Sequence, residues 1–253
     1  MLQQTQASRV APAFEVFMGC FPSVEALAGA ARADVLRAWG SLGYNRRAVA
    51  LSEAARAIVR RHGGRVPADP VELARLPGVG PYTAAAIASL AFGAAVPAID
   101  VNVARVVARS RIGRDGAPER EVEEAAASWM AGAESGRWNQ AVMDIGREVC
   151  RPRPRCDACP LRSRCRFRLT GALPEHRPRK QSAFPGSFRQ VRGAVVRTLR
   201  SSLVATVAGL ARETGHPHQR LVDAVRALAA DGVVRAGPAA LAGRAGGRVR
   251  LAP

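Results

Sequence analysis

Lysine is almost missing from this chain. Of 38 basic side chains only Lys180 is a lysine, which leaves 37 arginines. The protein therefore has one candidate amine for Schiff-base chemistry, and it sits in a Pro- and Arg-rich stretch. Aromatic residues are scarce at 5%, and there are only two tyrosines, Tyr44 and Tyr82. No apolar run reaches the ~18 residues of a membrane span, and no signal-like segment opens the chain. A soluble, cytoplasmic protein is expected, and a membrane surface is the weaker partner class. Acidic residues number 20 against 38 basic ones, for a formal net charge of +18 and a pI near 11.5. That excess favours a polyanionic partner, with nucleic acid first. Alternating β-branched residues are few, and Ala, Val and Leu dominate a hydrophobic content of 48%. The expectation is a mostly helical protein. At 253 residues it can hold one large domain or two small ones.

Cysteine is concentrated in one place. Cys150, Cys156, Cys159 and Cys165 follow the spacing C-x5-C-x2-C-x5-C, and Pro152, Pro154 and Pro160 shape the loops between them. Four thiolates so close in sequence can surround one metal centre. A disulfide framework does not suit a cytoplasmic chain. Zinc held by four thiolates and an iron–sulfur cluster both satisfy this spacing. Cys20 lies apart on an apolar stretch and reads as core. The loop is rich in arginine, from Arg151 to Arg166, and is expected to meet phosphate.

Leu76-Pro77-Gly78-Val79-Gly80 reads as the turn of a helical hairpin, because proline and two glycines sit poorly inside a helix. Its flanks read as helices. Such a turn leaves backbone N–H groups free at a helix start, where they can bind a phosphate oxygen. An αα-hairpin with a glycine turn and no ligand is the plain alternative. Before the hairpin, helices are predicted over 3–18, 24–37 and 48–62. After it, they are predicted over 101–109, 119–130 and 138–149. Residues 169–186 read as a linker. Beyond it, three short helices (190–199, 204–213 and 219–230) precede two short strands, 233–235 and 248–251. Three helices and a hairpin suggest a winged-helix module; a small helical cap with a frayed tail is the alternative.

Several segments together resemble the helix-hairpin-helix DNA glycosylases, and within them the MutY-type adenine DNA glycosylases. They are Met1-Leu2-Gln3-Gln4-Thr5-Gln6, Leu42-Gly43-Tyr44, the run from Leu76 to Ala84, Ile99-Asp100-Val101-Asn102-Val103-Ala104-Arg105-Val106, Asn139 to Gly146, and the four cysteines. The resemblance covers roughly residues 1 to 168. It implies an all-α fold, a six-helix barrel (1–95, hairpin 70–91) beside a domain (96–168) that carries a [4Fe–4S] cluster on Cys150, Cys156, Cys159 and Cys165. The linker and a winged-helix-like module (187–253) would follow. Asp100 would be the catalytic carboxylate, and Gly78, Val79 and Gly80 the phosphate clamp. Gln4 and Tyr44 would enter the base stack beside the flipped nucleotide. Tyr82 and Asp144 would line the base pocket, Asp144 with a plain helix-surface role as its alternative. Tyr82 stands where endonuclease III relatives carry a Schiff-base lysine, which implies a monofunctional enzyme without β-lyase activity.

The resemblance thus implies a monomeric base-excision enzyme of the bacterial nucleoid. It would act on double-stranded DNA with a mispaired or damaged base and hydrolyse an N-glycosidic bond, adenine being the favoured base. A thymine or uracil mismatch glycosylase is the second enzyme reading. The chain departs from the pattern in three ways. Its first cysteine gap holds five residues where six are usual, and it has no room for a Nudix-like C-terminal domain. The family's general-acid Glu lies two residues before the Met of Met-Leu-Gln-Gln-Thr-Gln, and this chain starts at that Met. A third reading follows, in which the 253-residue chain binds DNA but excises adenine slowly or not at all.

Overall fold

Helix punctuation explains most of the architecture. The computed structural model describes residues 1–3, 5–171 and 183–253; Gln4, Lys180 and most of the 169–186 linker lie outside them. Among the described residues there are fourteen α-helices and three short strands, so the fold is all-α with a small sheet near its C-terminus. No described helix is long and apolar enough to cross a membrane.

The first helix, α1, spans Ala7–Cys20. The single helix expected over 24–37 is two, α2 (Val24–Gly29) and α3 (Arg32–Ala38). Ser23 starts α2 by accepting the Ala26 amide at 3.1 Å. Arg56 of α4 (Arg46–His62) then donates to the carbonyls of Ala28 at 3.1 Å and Ala30 at 3.0 Å, satisfying orphan groups at the break. The partner that ends α2 therefore comes from a distant segment. Gly63, at φ +57, closes α4 in the left-handed conformation.

Packing divides the chain into two compact units, Met1–Arg65 with Gln181–Pro253, and Val66–Lys180. The division falls at residue 65 rather than at the expected 95, because the hairpin helix α6 rests on a helix of the second unit, α9. In the first unit one core joins Val35, Leu36 and Trp39 to Val195, Leu199, Leu210, Leu221 and Val249. The C-terminal module thus shares its interior with the N-terminal helices.

In the second unit, α5 (Pro70–Ala74) and α6 (Pro81–Phe92) form the hairpin. They are followed by α7 (Val101–Val107), α8 (Glu119–Met130), α9 (Ser135–Glu148) and the short α10 (Arg166–Leu169). A π-helical turn, Ala108–Ile112, continues α7. The core here is Val103, Val106, Val107, Val122, Ala126, Met130, Trp138 and Val142.

The C-terminal module runs α11 (Phe188–Ser201), β1 (Ala205–Thr206), α12 (Val207–Thr214), α13 (His218–Ala230), β2 (Val234–Ala236), α14 (Pro238–Leu241) and β3 (Arg248–Leu251). The sheet order is β1-β3-β2, antiparallel throughout. Three helices with a strand between the first two, then a β-hairpin, is winged-helix connectivity. The sequence pattern missed β1 and α14: β1 is two residues long, and α14 sits within a Gly/Ala-rich stretch.

The shared core sets a test. Leu199 of α11 is fully buried among these residues. Leu199→Ala should cost about 2–5 kcal/mol in denaturant unfolding. The near-ultraviolet signal of Trp39 should be lost in the same transition as the module's helices. A separate, unshifted Trp39 transition would contradict a common core.

Candidate active site and cysteine loop

The hairpin turn is fixed by its own backbone. Asp69 caps α5 by accepting the Val71 amide at 3.0 Å, and Pro70 takes the first helical position. The Leu76 amide donates to Leu73 O at 3.0 Å, and the Val79 amide to Leu76 O at 3.1 Å. Gly78 sits at φ +74, which favours glycine. Gly80 differs. Its φ of −88° suits any residue, and a Cβ there would meet nothing within 4 Å. Nothing among the described residues demands glycine at 80, so the space beside it is open to whatever approaches the turn. The amides of Gly80 and Tyr82 reach no acceptor among the described residues.

From α6 the chain returns over residues 93–99 to Asp100. One buried side chain holds this return. Asn139 of α9 accepts the Ala98 amide on Oδ1 at 2.7 Å. Its Nδ2 lies 2.7 Å from Ser89 Oγ, 3.0 Å from Val96 O and 3.0 Å from Ser135 O. Asp100 then caps α7. Its Oδ1 accepts the amides of Asn102 at 2.9 Å and Val103 at 2.7 Å, while Oδ2 accepts Asn102 Nδ2 at 3.0 Å. Three donors fix the plane of a half-buried carboxylate.

The support extends outward through Asn102. Arg105 donates from Nη2 to Asn102 Oδ1 at 2.9 Å and to Gly146 O at 2.8 Å, and from Nε to Cys150 O at 2.6 Å. Asn102 also packs on Gly146, where an added Cβ would come within 2.9 Å of Asn102 Cβ and 3.0 Å of its carbonyl oxygen. Burial lowers the pKa of the Arg105 guanidinium; even lowered, it remains charged at neutral pH. Tyr82 lies close enough for the charge of Asp100 to act on it. Burial, then that charge, raises the tyrosine pKa, so the phenol stays neutral, and its hydroxyl contacts Met143 Sδ at 3.8 Å. Asp144 instead pairs with Arg147 at 3.2 Å and meets Gln140 Nε2 at 3.3 Å along the surface of α9. Among the described residues no hydrogen bond or ion pair joins it to Asp100 or Tyr82.

The four cysteines line one cavity with Val149, Pro154, Phe167 and Arg109. Arg109, only 1% exposed, organises its wall. It is paired with buried Asp115 through Nε–Oδ1 at 2.5 Å and Nη2–Oδ2 at 2.9 Å. Nη1 donates to Arg151 O at 2.7 Å and lies 3.8 Å from Cys150 Sγ; Nη2 reaches Pro152 O at 3.2 Å. Its guanidinium stacks over Phe167 at 5.2 Å. Burial first, and neighbouring thiols second, push the pKa of Cys156 up; burial also raises that of Cys150, against the pull of Arg109. Among the described residues no three metal-ligating side chains converge tightly enough for a single ion. The donor set is four soft thiols lining one arginine-walled cavity, a lining that suits a thiolate-bound metal group.

Tyr44 belongs to the other unit. It is the only non-glycine residue at positive φ among the described residues, at +45°, and is 45% exposed. Trp39 Nε1 donates to Gly43 O at 2.9 Å and pins the turn that holds it. Strained backbone presenting an exposed ring is characteristic of functional positions. Arg47 holds the adjoining N-terminal segment, donating to Met1 O and, at 2.9 Å, to Thr5 Oγ1. Gln4 itself lies outside the described residues. Asn139, Arg105 and Arg109 carry the site's architecture and were not anticipated as site residues from sequence. The only local signal for Asn139 was its place in a matching segment.

A glycine hairpin followed by a helix-capping aspartate, with a four-cysteine loop behind it, defines the helix-hairpin-helix class of DNA repair proteins. The chain belongs to the HhH-GPD superfamily of base excision DNA repair proteins, whose sequence pattern matches residues 1–131. It is 42% identical over 205 residues to an adenine DNA glycosylase of Mycolicibacterium smegmatis, covering 80% of this chain and 70% of the relative. Among solved structures it is similar to a thermostable thymine-DNA glycosylase, with a TM-score of 0.62 and 29% identity over 67% of this chain and 80% of that one. It is also similar to endonuclease III in a non-covalent DNA complex, with a TM-score of 0.58 and 26% identity over 66% of this chain and 79% of that one.

The contact between Asn102 and Gly146 gives a direct test. Gly146→Ala should force α7 and α9 apart at a cost of about 1–3 kcal/mol. Gly19→Ala, where an added Cβ meets nothing within 4 Å, is the control and should leave stability near the starting value. Equal melting temperatures for the two variants would show that the α7–α9 approach has slack.

Proposed function

We propose that this protein is a base-excision DNA glycosylase that hydrolyses the N-glycosidic bond of a mispaired adenine in double-stranded DNA, acting as a monomer in the bacterial cytoplasm. The observation that carries the reading is the carboxylate of Asp100, fixed by three donors and set behind the glycine hairpin in a chain that belongs to a base-excision superfamily. Relatives named adenine DNA glycosylase at 42% identity select the base.

The chemistry follows from the group. Breaking the bond between base and sugar builds oxocarbenium-like positive charge at the sugar, and a fixed carboxylate stabilises it. The base must first leave the stack, at a cost of a few kcal/mol. In this reading Tyr44 and Gln4 fill the space it vacates, and the amides around Gly78, Val79 and Gly80 hold a phosphate. Tyr82 and Asp144 line the pocket of the extruded base. Tyr82 offers no amine beside Asp100, and the chain's one lysine is Lys180, so the enzyme is read as monofunctional. Cys150, Cys156, Cys159 and Cys165 would hold a [4Fe–4S] cluster, which supplies a structural centre for the arginine-rich loop.

Asparagine caps helices about as well as aspartate. Asp100→Asn should therefore keep stability and DNA binding while lowering single-turnover adenine release by about 10²–10³-fold. Wild-type excision rates in Asp100→Asn, or release of thymine or uracil in place of adenine, would overturn the assignment.

The cofactor reading has a separate readout. Aerobically purified protein should be brown with broad visible absorbance, and that colour should be lost in Cys159→Ser. Colourless protein with one stoichiometric zinc would replace the cluster by a zinc site.

A further inference from the structure

The C-terminal module carries a charge arrangement that its own fold does not explain. Residues 183–253 contain eleven arginines and three acids, Glu213, Asp223 and Asp231. Each acid already has a partner: Thr198 at 2.9 Å for Glu213, Gln219 at 3.1 Å for Asp223, and Arg192 for Asp231. On the exposed face of the sheet, Arg235 of β2 stands directly opposite Arg250 of β3, and Arg248 lies two residues along β3 on the same face. All three are exposed, and among the described residues none has an ion-pair or side-chain hydrogen-bond partner. Like charges placed directly across two strands destabilise a sheet. A fold that keeps such a pair without a carboxylate gains from it only when an anion arrives.

The neighbouring wing is tightly built. His218 Nε2 meets Gly243 O at 2.8 Å, and Arg226 Nε donates to Leu241 O at 2.8 Å, so α13 holds the β2–β3 connection at two points. A Cβ at Gly247 would lie 2.3 Å from Ala240 N, which shows how closely the backbone folds on itself there. Exposed Arg244 follows directly on the carbonyl held by His218. The arginines therefore sit on a pre-ordered surface and need little ordering on binding. Two residues along a strand span about 7 Å, which is close to two steps of the roughly 3.4 Å phosphate rise along one DNA strand.

We propose that Arg235, Arg248 and Arg250, with Arg244 at the wing, form a second DNA-binding surface that grips the phosphates of duplex DNA independently of sequence. The surface stands on the module alone. It reads no base and takes no part in excision, so it does not depend on the role given to Asp100.

The test uses the full chain, because the module shares a core with the N-terminal helices. The triple variant Arg235→Gln/Arg248→Gln/Arg250→Gln and its Arg→Lys counterpart are titrated by fluorescence polarisation against a fully paired duplex and against a single strand of the same sequence. Each arginine that neutralises a phosphate contributes about 0.9 to the slope of log affinity against log salt. The glutamine variant should flatten the duplex slope by about 2–3, and the lysine variant should restore most of it. The glutamine variant should melt no lower than the parent, since it removes repulsion and no contact. An unchanged duplex slope overturns the proposal. So does loss in both variants, which would mean that shape rather than charge was altered. A change confined to the single strand overturns it in favour of single-strand binding. A protein that releases no adenine but shows the flattened slope would lose the proposed function and keep this surface.

Discussion

The site depends on one guanidinium. Arg105 ties the side chain that orients Asp100 to the carbonyls of Gly146 and Cys150, so the carboxylate, the end of α9 and the first cysteine share a single anchor. Asn139 performs the matching task on the approach, holding residues 96 and 98 to α6 and α9. A group meant to stabilise developing charge gains most when it need not reorganise during the reaction. Here the orienting work is spread over two polar side chains that each make several hydrogen bonds, one on each side of the carboxylate.

The same logic operates behind the site. Burying a charge such as Arg109 is unfavourable unless it is paired and its other donors are satisfied. Asp115 pairs it, and the carbonyls of Arg151 and Pro152 take further donors. The path of the cysteine loop is thus written into the chain by a buried ion pair whose donors reach the loop backbone. Arg109 lies within the π-helical turn Ala108–Ile112, and such turns concentrate at functional places.

Much of this was legible where the signal is local. The hairpin turn, the start of α7, the boundaries of α8 and the winged-helix order follow from glycine, proline and hydrophobic period. The Gly29 break was not legible, because Arg56, which satisfies it, lies 28 and 26 residues from the carbonyls it caps. Nor was the core shared by Trp39 and Leu199, which only tertiary packing brings together. Arg105 and Asn139 looked like ordinary helix residues, since most of their partners lie 41 to 50 residues away. Asp144 meets Gln140 and Arg147 along its own helix, an i±3/4 pattern that the sequence already contained.

The central claim is that Asp100 acts from a position set through Asn102 and Arg105. A double-mutant cycle on single-turnover base release, with Asn102→Ala, Arg105→Gln and their combination, measures it. The two changes should couple by about 0.5–3 kcal/mol, the second costing little once the first is present, while duplex affinity stays near that of the parent. Strictly additive losses, or full activity in Arg105→Gln, would show that the carboxylate is positioned without that anchor.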